Sequence, residues 1–196
     1  MDDVQRCWWA GGDRPDPGPQ AFRMQAYHDS EWGVPVIDDV ELFERLTLEA
    51  FQAGLSWQTI LDKREGFREA FRGFDPAIVG AFDDADRARL MADAGIVRNR
   101  AKIDATIDNA NAFRAVVAEF GSFDAYLATI VPRPPTRLPT TAVAGSIPAS
   151  TPVSDALSKD LKRRGFRFVG STIVYAFMQS VGLVDDHLPV CFRYRG

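Results

Sequence analysis

The chain has 196 residues, 46% of them hydrophobic and 11% aromatic, with a formal net charge of −4 at pH 7. That is enough apolar material to build a core, which excludes a disordered chain, and the mild acidity gives no global pull toward nucleic acid or anionic membranes, leaving only a local patch for either. The opening MDDVQRC lacks a basic stretch followed by an apolar one, and no apolar run approaches the ~20 residues of a membrane span, so the chain reads as soluble, intracellular and monomeric.

The Gly/Pro-rich opening GGDRPDPGP reads as irregular. Beyond it apolar residues return mostly at helical spacing and long apolar/polar alternation is missing, so an all-α fold is expected. A helix is expected from Asp38 or Asp39, with Val40, Leu42, Phe43, Leu46, Leu48 and Phe51 inward, stopping near Gly54. A second spans about 56–71, and a short third follows FDPA, where Pro76 suits a first turn. DDADRARLMADAG has acids at its start and Gly95 at its end; the next helix spans about 99–120, and Asp124 in GSFDAYL reads as a helix cap. VPRPPTRLPTTAVAGSIPAS, with five prolines, must be loop or partly extended. SDALSKDLKRRG is a helix capped by Ser154 or Asp155 and closed by Gly165, and a final helix spans about 171–181. No repeat or clean linker divides residues 1–196, which read as one domain, at most two closely packed helical subdomains.

The chain has two cysteines and two histidines, and all four lie near its ends: Cys7, His28, His187 and Cys191. Thiolate and imidazole together match tetrahedral zinc, and the i, i+4 spacing of His187 and Cys191 lets both point to one side of a turn. Such a site ties the first segment to the last and, with four protein ligands, leaves no place for water, so the metal would be structural. The plain alternative is two small buried thiols and two hydrogen-bonded imidazoles.

DAGIVRNRAKI places Gly95 and Ile96 in a turn before Arg98, Arg100 and Lys102 at the start of the next helix, an arrangement that can aim backbone N–H groups and positive charge at a DNA phosphate. A second basic group, Lys159, Lys162, Arg163, Arg164 and Arg167, surrounds Gly165. The plain alternative for both groups is ordinary helix-end electrostatics, a capping glycine with basic residues nearby.

In LTLEAFQAGLSWQTIL, Glu49 falls inside an apolar helical run, where a carboxylate needs a partner or a cavity, and Trp57 follows the break AGLS. An acid beside a large ring suits a flat, electron-poor ligand with N–H donors; Trp9, Tyr27 and Trp32 are candidates for further walls. The alternative puts Glu49 on a solvated flank and the rings in the core.

Taken together, YHDSEWGVP, LEAFQAGLSW, DAGIVRNRAKI, SDALSKDLKRRGFRFVGSTIVYAFMQSVGLVDDH and Cys191 resemble the DNA-3-methyladenine glycosylase I family over residues 7–191. The resemblance implies a helix-hairpin-helix DNA glycosylase fold and excision of alkylated adenine from double-stranded DNA. It implies one structural Zn2+ on Cys7, His28, His187 and Cys191. It also implies base recognition by Glu49, stacking by Trp57, and pocket roles for Tyr27 and Trp9. The hairpin maps onto residues 95–102, and Gly54 or Leu55 is the candidate wedge into the duplex. Ala101 and Ala50 stand where relatives often have glycine. Glu49 is the candidate catalytic residue, assigned to recognition first, Asp124 is left out of the catalytic set, and no lysine is placed as a Schiff-base nucleophile, so a monofunctional enzyme is expected.

Overall fold

The computed structural model describes residues 4–10 and 18–195; most of the Gly/Pro-rich opening, residues 11–17, lies outside them. Among the described residues the chain is mostly helical, with nine α-helices: α1 (Gly18–Ser30), α2 (Asp39–Gln52), α3 (Trp57–Ala70), α4 (Pro76–Val79), α5 (Asp84–Ala92), α6 (Arg100–Phe120), α7 (Phe123–Ala128), α8 (Pro152–Arg163) and α9 (Ser171–Ser180). The only strands among them are β1 (Thr136–Arg137) and β2 (Val184–Asp185), a two-residue parallel pair that ties the proline-rich loop to the segment before His187. No described helix is long and apolar enough to cross a membrane.

Helix starts are set by local polar side chains that satisfy the first free N–H groups. Asp38 accepts from Glu41 N at 2.9 Å to start α2, Ser56 from Thr59 N at 3.2 Å to start α3, and Asn99 from Lys102 N at 3.1 Å to start α6. Two expected caps are corrected. Thr151, not Ser154 or Asp155, caps α8, in a reciprocal pair with Ser154, because Pro152 already supplies a helix-compatible first turn. Ser122, not Asp124, caps α7; Asp124 lies in the first turn and pairs with Arg133. Helix α1 has no counterpart among the expected elements, although it carries both Tyr27 and His28.

The core is rich in phenylalanine. Phe43 meets Phe113 at 5.4 Å between ring centroids and Phe51 meets Phe67 at 4.7 Å, which locks α2 to α6 and α3. Helix α2 runs through the middle, packed on α3, α6, α7 and α9, and residues 42–51 are all buried. Its polar residues therefore have to be paired or to face a cavity. Glu44 receives Arg68 Nε at 3.0 Å, and Arg45 donates to Glu31 and Glu41 at 2.8 and 3.0 Å. Glu49 faces a cavity instead.

Candidate active site and metal centre

A cavity of about 380 Å3 opens beside the middle of α2, lined by Trp9, Tyr27, Trp32, Glu49, Trp57 and Gln179, among others. That volume is in the range of small-molecule sites. Its walls come from distant parts of the chain. A short 3-10 turn (Trp8–Ala10) presents Trp9, the last turn of α1 presents Tyr27, the first residue of α3 is Trp57, and α9 contributes Ala176 and Gln179. The rings brace one another: Tyr27 to Trp57 at 5.2 Å, Trp9 to Trp32 at 5.0 Å and Trp9 to Tyr27 at 6.3 Å between centroids. A second cavity of about 280 Å3 also touches Glu49 and has Gly54 and Leu55 on its wall.

Glu49 is 4% exposed, and burial pushes its carboxyl up to about 8 while Arg45, one turn earlier on α2, pulls the other way. A carboxyl so placed holds its proton into the neutral range, and a cation arriving beside it favours loss of that proton. Burial likewise raises the Tyr27 hydroxyl above its usual range, with Glu49 adding to the effect. Tyr27 thus remains a neutral phenol.

Next to the cavity lies the cysteine and histidine cluster. The donor atoms of Cys7, His28 and Cys191 lie within 4.8 Å of one another, with His28 Nε2 3.3 Å from Cys191 Sγ. His187, the fourth expected ligand, adjoins this group without joining it: its ring centroid is 5.2 Å from that of His28, and its Nε2 is buried with no hydrogen-bond partner. Both imidazoles are oriented in the same manner. His28 Nδ1 meets Asp29 Oδ1 at 2.8 Å and His187 Nδ1 meets Asp185 Oδ1 at 2.7 Å, which turns each Nε2 toward the cluster, where His28 Nε2 accepts from Cys7 N at 3.4 Å. Arg6 in turn holds Asp29, through Nη2 at 2.7 Å. The interaction between the two thiols draws the Cys191 thiol below the usual thiol range and lifts Cys7 above it. Gly33 matters to this packing, since a Cβ there would stand 2.8 Å from His187 Cε1.

The α5–α6 hairpin presents Gly95, Arg98 and Arg100 at the surface, Arg100 paired with Asp104 at 3.1 Å, while Ile96 is buried as an anchor. It is held against α3 by Lys63 Nζ donating to Ala94 O at 2.7 Å and by a close backbone approach: a Cβ on Gly66 would meet Gly95 O at 2.7 Å. Lys102 departs from the expected phosphate contact. It is 7% exposed, and its Nζ donates to Phe51 O and Ala53 O at 2.8 and 2.6 Å, satisfying carbonyls that the end of α2 leaves free. The second basic group is largely committed to acids: Arg163 and Arg164 to Asp160, Arg164 also to Glu119 at 2.7 Å, and Arg167 to Asp108 at 2.7 Å.

Sequence reasoning missed Gln179, Arg45 and the two orienting aspartates. A signal existed for each. Asp29 directly follows His28 and Asp185 precedes His187 by two, while Gln179 and Arg45 are polar residues inside apolar helical runs, the argument that singled out Glu49.

Comparison with known proteins places the chain in a family. The family model described as methyladenine glycosylase matches residues 19–194. DNA-3-methyladenine glycosylase 1 of Escherichia coli (strain K12) is 47% identical over 193 residues, covering 98% of each chain. DNA-3-methyladenine glycosylase of Haemophilus influenzae is 44% identical over 186 residues, covering 95% of this chain and 96% of the relative. A crystal structure of 3-methyladenine DNA glycosylase I superposes with a TM-score of 0.88 at 46% identity, covering 97% of this chain and all of the other. With a matching fold, matching length and near-complete coverage, this chain belongs to the methyladenine glycosylase family.

Proposed function

We propose that this protein is a monofunctional DNA glycosylase that hydrolyses the N-glycosidic bond of 3-methyladenine in alkylated double-stranded DNA, as a monomer in the cytoplasm. The observation that carries this reading is the buried Glu49 carboxyl facing a cavity walled by Trp9, Tyr27 and Trp57, in a chain of this family.

Methylation at N3 leaves the purine in the nucleotide positively charged, so its bond to the sugar is already weakened. The base is first turned out of the stack, at a cost of a few kcal/mol, and enters the cavity. Trp57 and Tyr27 offer ring faces that favour a cationic base over neutral adenine, worth up to ~2 kcal/mol each when desolvated. Glu49 accepts from the exocyclic amine, and the positive charge of the base draws the carboxyl toward its ionised form. Water then adds to the sugar carbon as the bond to the base breaks; the base leaves neutral and the proton of the water is released.

On the DNA side, the backbone of Gly95 and Ile96 and the side chains of Arg98 and Arg100 take phosphates, while Lys102 secures the corner of α2 from within. Gly54 and Leu55 sit at that corner, and Leu55 is exposed, as a wedge filling the vacated stack must be. Arg98→Ala combined with Arg100→Ala is expected to flatten the dependence of log K on log salt by about one to two, with little effect on base release at saturating enzyme. An unchanged slope in equilibrium binding would move the DNA face elsewhere.

The cysteine and histidine cluster fits zinc. Two thiols and two imidazoles are the right donor set, each imidazole is held by a carboxylate through Nδ1, and His187 Nε2 lacks any other partner. Cys7, His28, His187 and Cys191 would hold the ion. When bound it supplies a cross-link between the two ends of the chain and keeps no position for water.

The deciding experiment is chromatography of free base released from methylated duplex DNA. Release of 3-methyladenine by the wild type is expected, falling about 10–100-fold in Trp57→Ala through loss of stacking worth about 1–3 kcal/mol. No release by folded, zinc-loaded wild-type protein would favour a damage-binding relative without the chemistry.

A further inference from the structure

We propose that Arg45 is a positioning residue of the pocket: its buried guanidinium braces the Tyr27 ring and supplies a fixed positive charge one helical turn from the Glu49 carboxyl. Its role rests on the proposed pocket and concerns how that pocket is tuned. Arg45 is 5% exposed and is not among the residues lining the cavity, so it acts through the two that do.

Three observations converge. Its guanidinium carbon lies over the Tyr27 ring, 5.8 Å from the centroid, while its Nη1 is buried without a hydrogen-bond partner. Its Nη2 donates to Glu31 Oε2 at 2.8 Å and Glu41 Oε1 at 3.0 Å, so the group is clamped rather than free to swing. Glu31 is itself gripped by both terminal nitrogens of Arg64, at 2.7 and 3.2 Å, which fixes the turn after α1 against α2 and α3. A buried arginine in the middle of α2 is costly to keep, and these partners explain how it is held without explaining why it stands beside Tyr27.

The setting of Glu49 gives a reason. On its own helix Arg45 is the charge that opposes the effect of burial on the acid. From α1 it is faced by the neutral phenol of Tyr27, with Glu31 behind and already engaged by Arg45 and Arg64; from α3 by Trp57; from α9 by Ala176 and Gln179, neither of them charged. Arg45 therefore makes the ionised carboxylate easier to reach, and a pocket for a cationic base needs that form. The sign follows: without Arg45, Glu49 holds its proton to higher pH.

The test pairs Arg45→Met with Arg45→Lys. The methionine variant is expected to fold, because Glu31 retains Arg64 and the Glu41 side chain is 45% exposed and can turn to solvent. Carbon-13 NMR of the Glu49 carboxyl is expected to show a titration midpoint about one pH unit higher in Arg45→Met and unmoved in Arg45→Lys. Single-turnover base release in Arg45→Met is expected to be down about 5–10-fold at pH 7.5 and to recover above pH 9, whereas Arg45→Lys loses substrate affinity at every pH because a compact ammonium cannot brace the ring as a plane. An unmoved Glu49 midpoint in Arg45→Met, or a raised one in Arg45→Lys, overturns the role assigned to Arg45. A moved midpoint with an unmoved pH profile of base release would uphold Arg45 as the charge acting on Glu49 and remove Glu49 from recognition.

Discussion

Glu49→Gln is expected to yield a protein that melts higher than the wild type above neutral pH and releases base about 10–100-fold more slowly. The stability half of this follows from linkage. The Glu49 carboxyl, pushed up to about 8 by burial, keeps its proton in the folded state at pH values where the unfolded chain, titrating near 4.5, has lost it. A raised acid of this kind makes folding less favourable as pH rises from about 4.5 to 8, and the loss is complete above that window. Replacing the carboxyl by an amide removes the penalty, roughly 2–4 kcal/mol at pH 8 and above, or on the order of 5–10 °C in Tm for a chain of this size. Below pH 4 the two proteins are expected to melt together. The activity half reflects the loss of a hydrogen bond to a charged group, worth about 1.5–3 kcal/mol. Thermal unfolding from pH 4 to 9 provides the check; a variant that melts lower at every pH would mean that Glu49 stabilises the fold rather than straining it.

Metal removal is expected to have the larger effect on stability. The four candidate ligands join segments separated by most of the chain, and closing a loop of that length is worth roughly 4–5 kcal/mol by the chain-entropy estimate. Chelation, or Cys191→Ser, is expected to lower Tm by about 10 °C or more and to raise the fluorescence response of Trp9 to quenchers, with most helix content retained, because the phenylalanine core is built from other residues. Returning zinc to the stripped protein is expected to release protons as thiols become thiolates. Unchanged melting after complete stripping would sink the structural metal. Activity lost with melting unchanged would point instead to a metal at the chemistry.

Much of the architecture was legible because its signals are local. The starts of α2, α3 and α6 follow from Asp38, Ser56 and Asn99, and the end of α2 from Gly54, which takes a positive φ just past it. What failed to show was set by neighbours remote in sequence. Helix α1 was hidden because its weak amphipathic pattern follows a run of glycine and proline, yet its final turn is fixed by Arg6 on Asp29 and by packing of His28 on Trp9. Lys102 reads as one more cation in a basic turn, and only the fold reveals carbonyls of residues 51 and 53 waiting beneath it. Glu49 was legible for the opposite reason: a carboxylate in an apolar helix is a local contradiction, and such contradictions gather at functional sites.

The junction of the two chain ends also reaches the pocket. Phe192 N donates to Gln5 O at 2.9 Å, and Trp9, which lines the cavity, packs against the cluster containing Cys7 and Cys191. Trp9 packs on His28 within the cluster that holds Cys7 and Cys191, so a disturbance of that junction is expected to reach the pocket wall before it reaches the phenylalanine core.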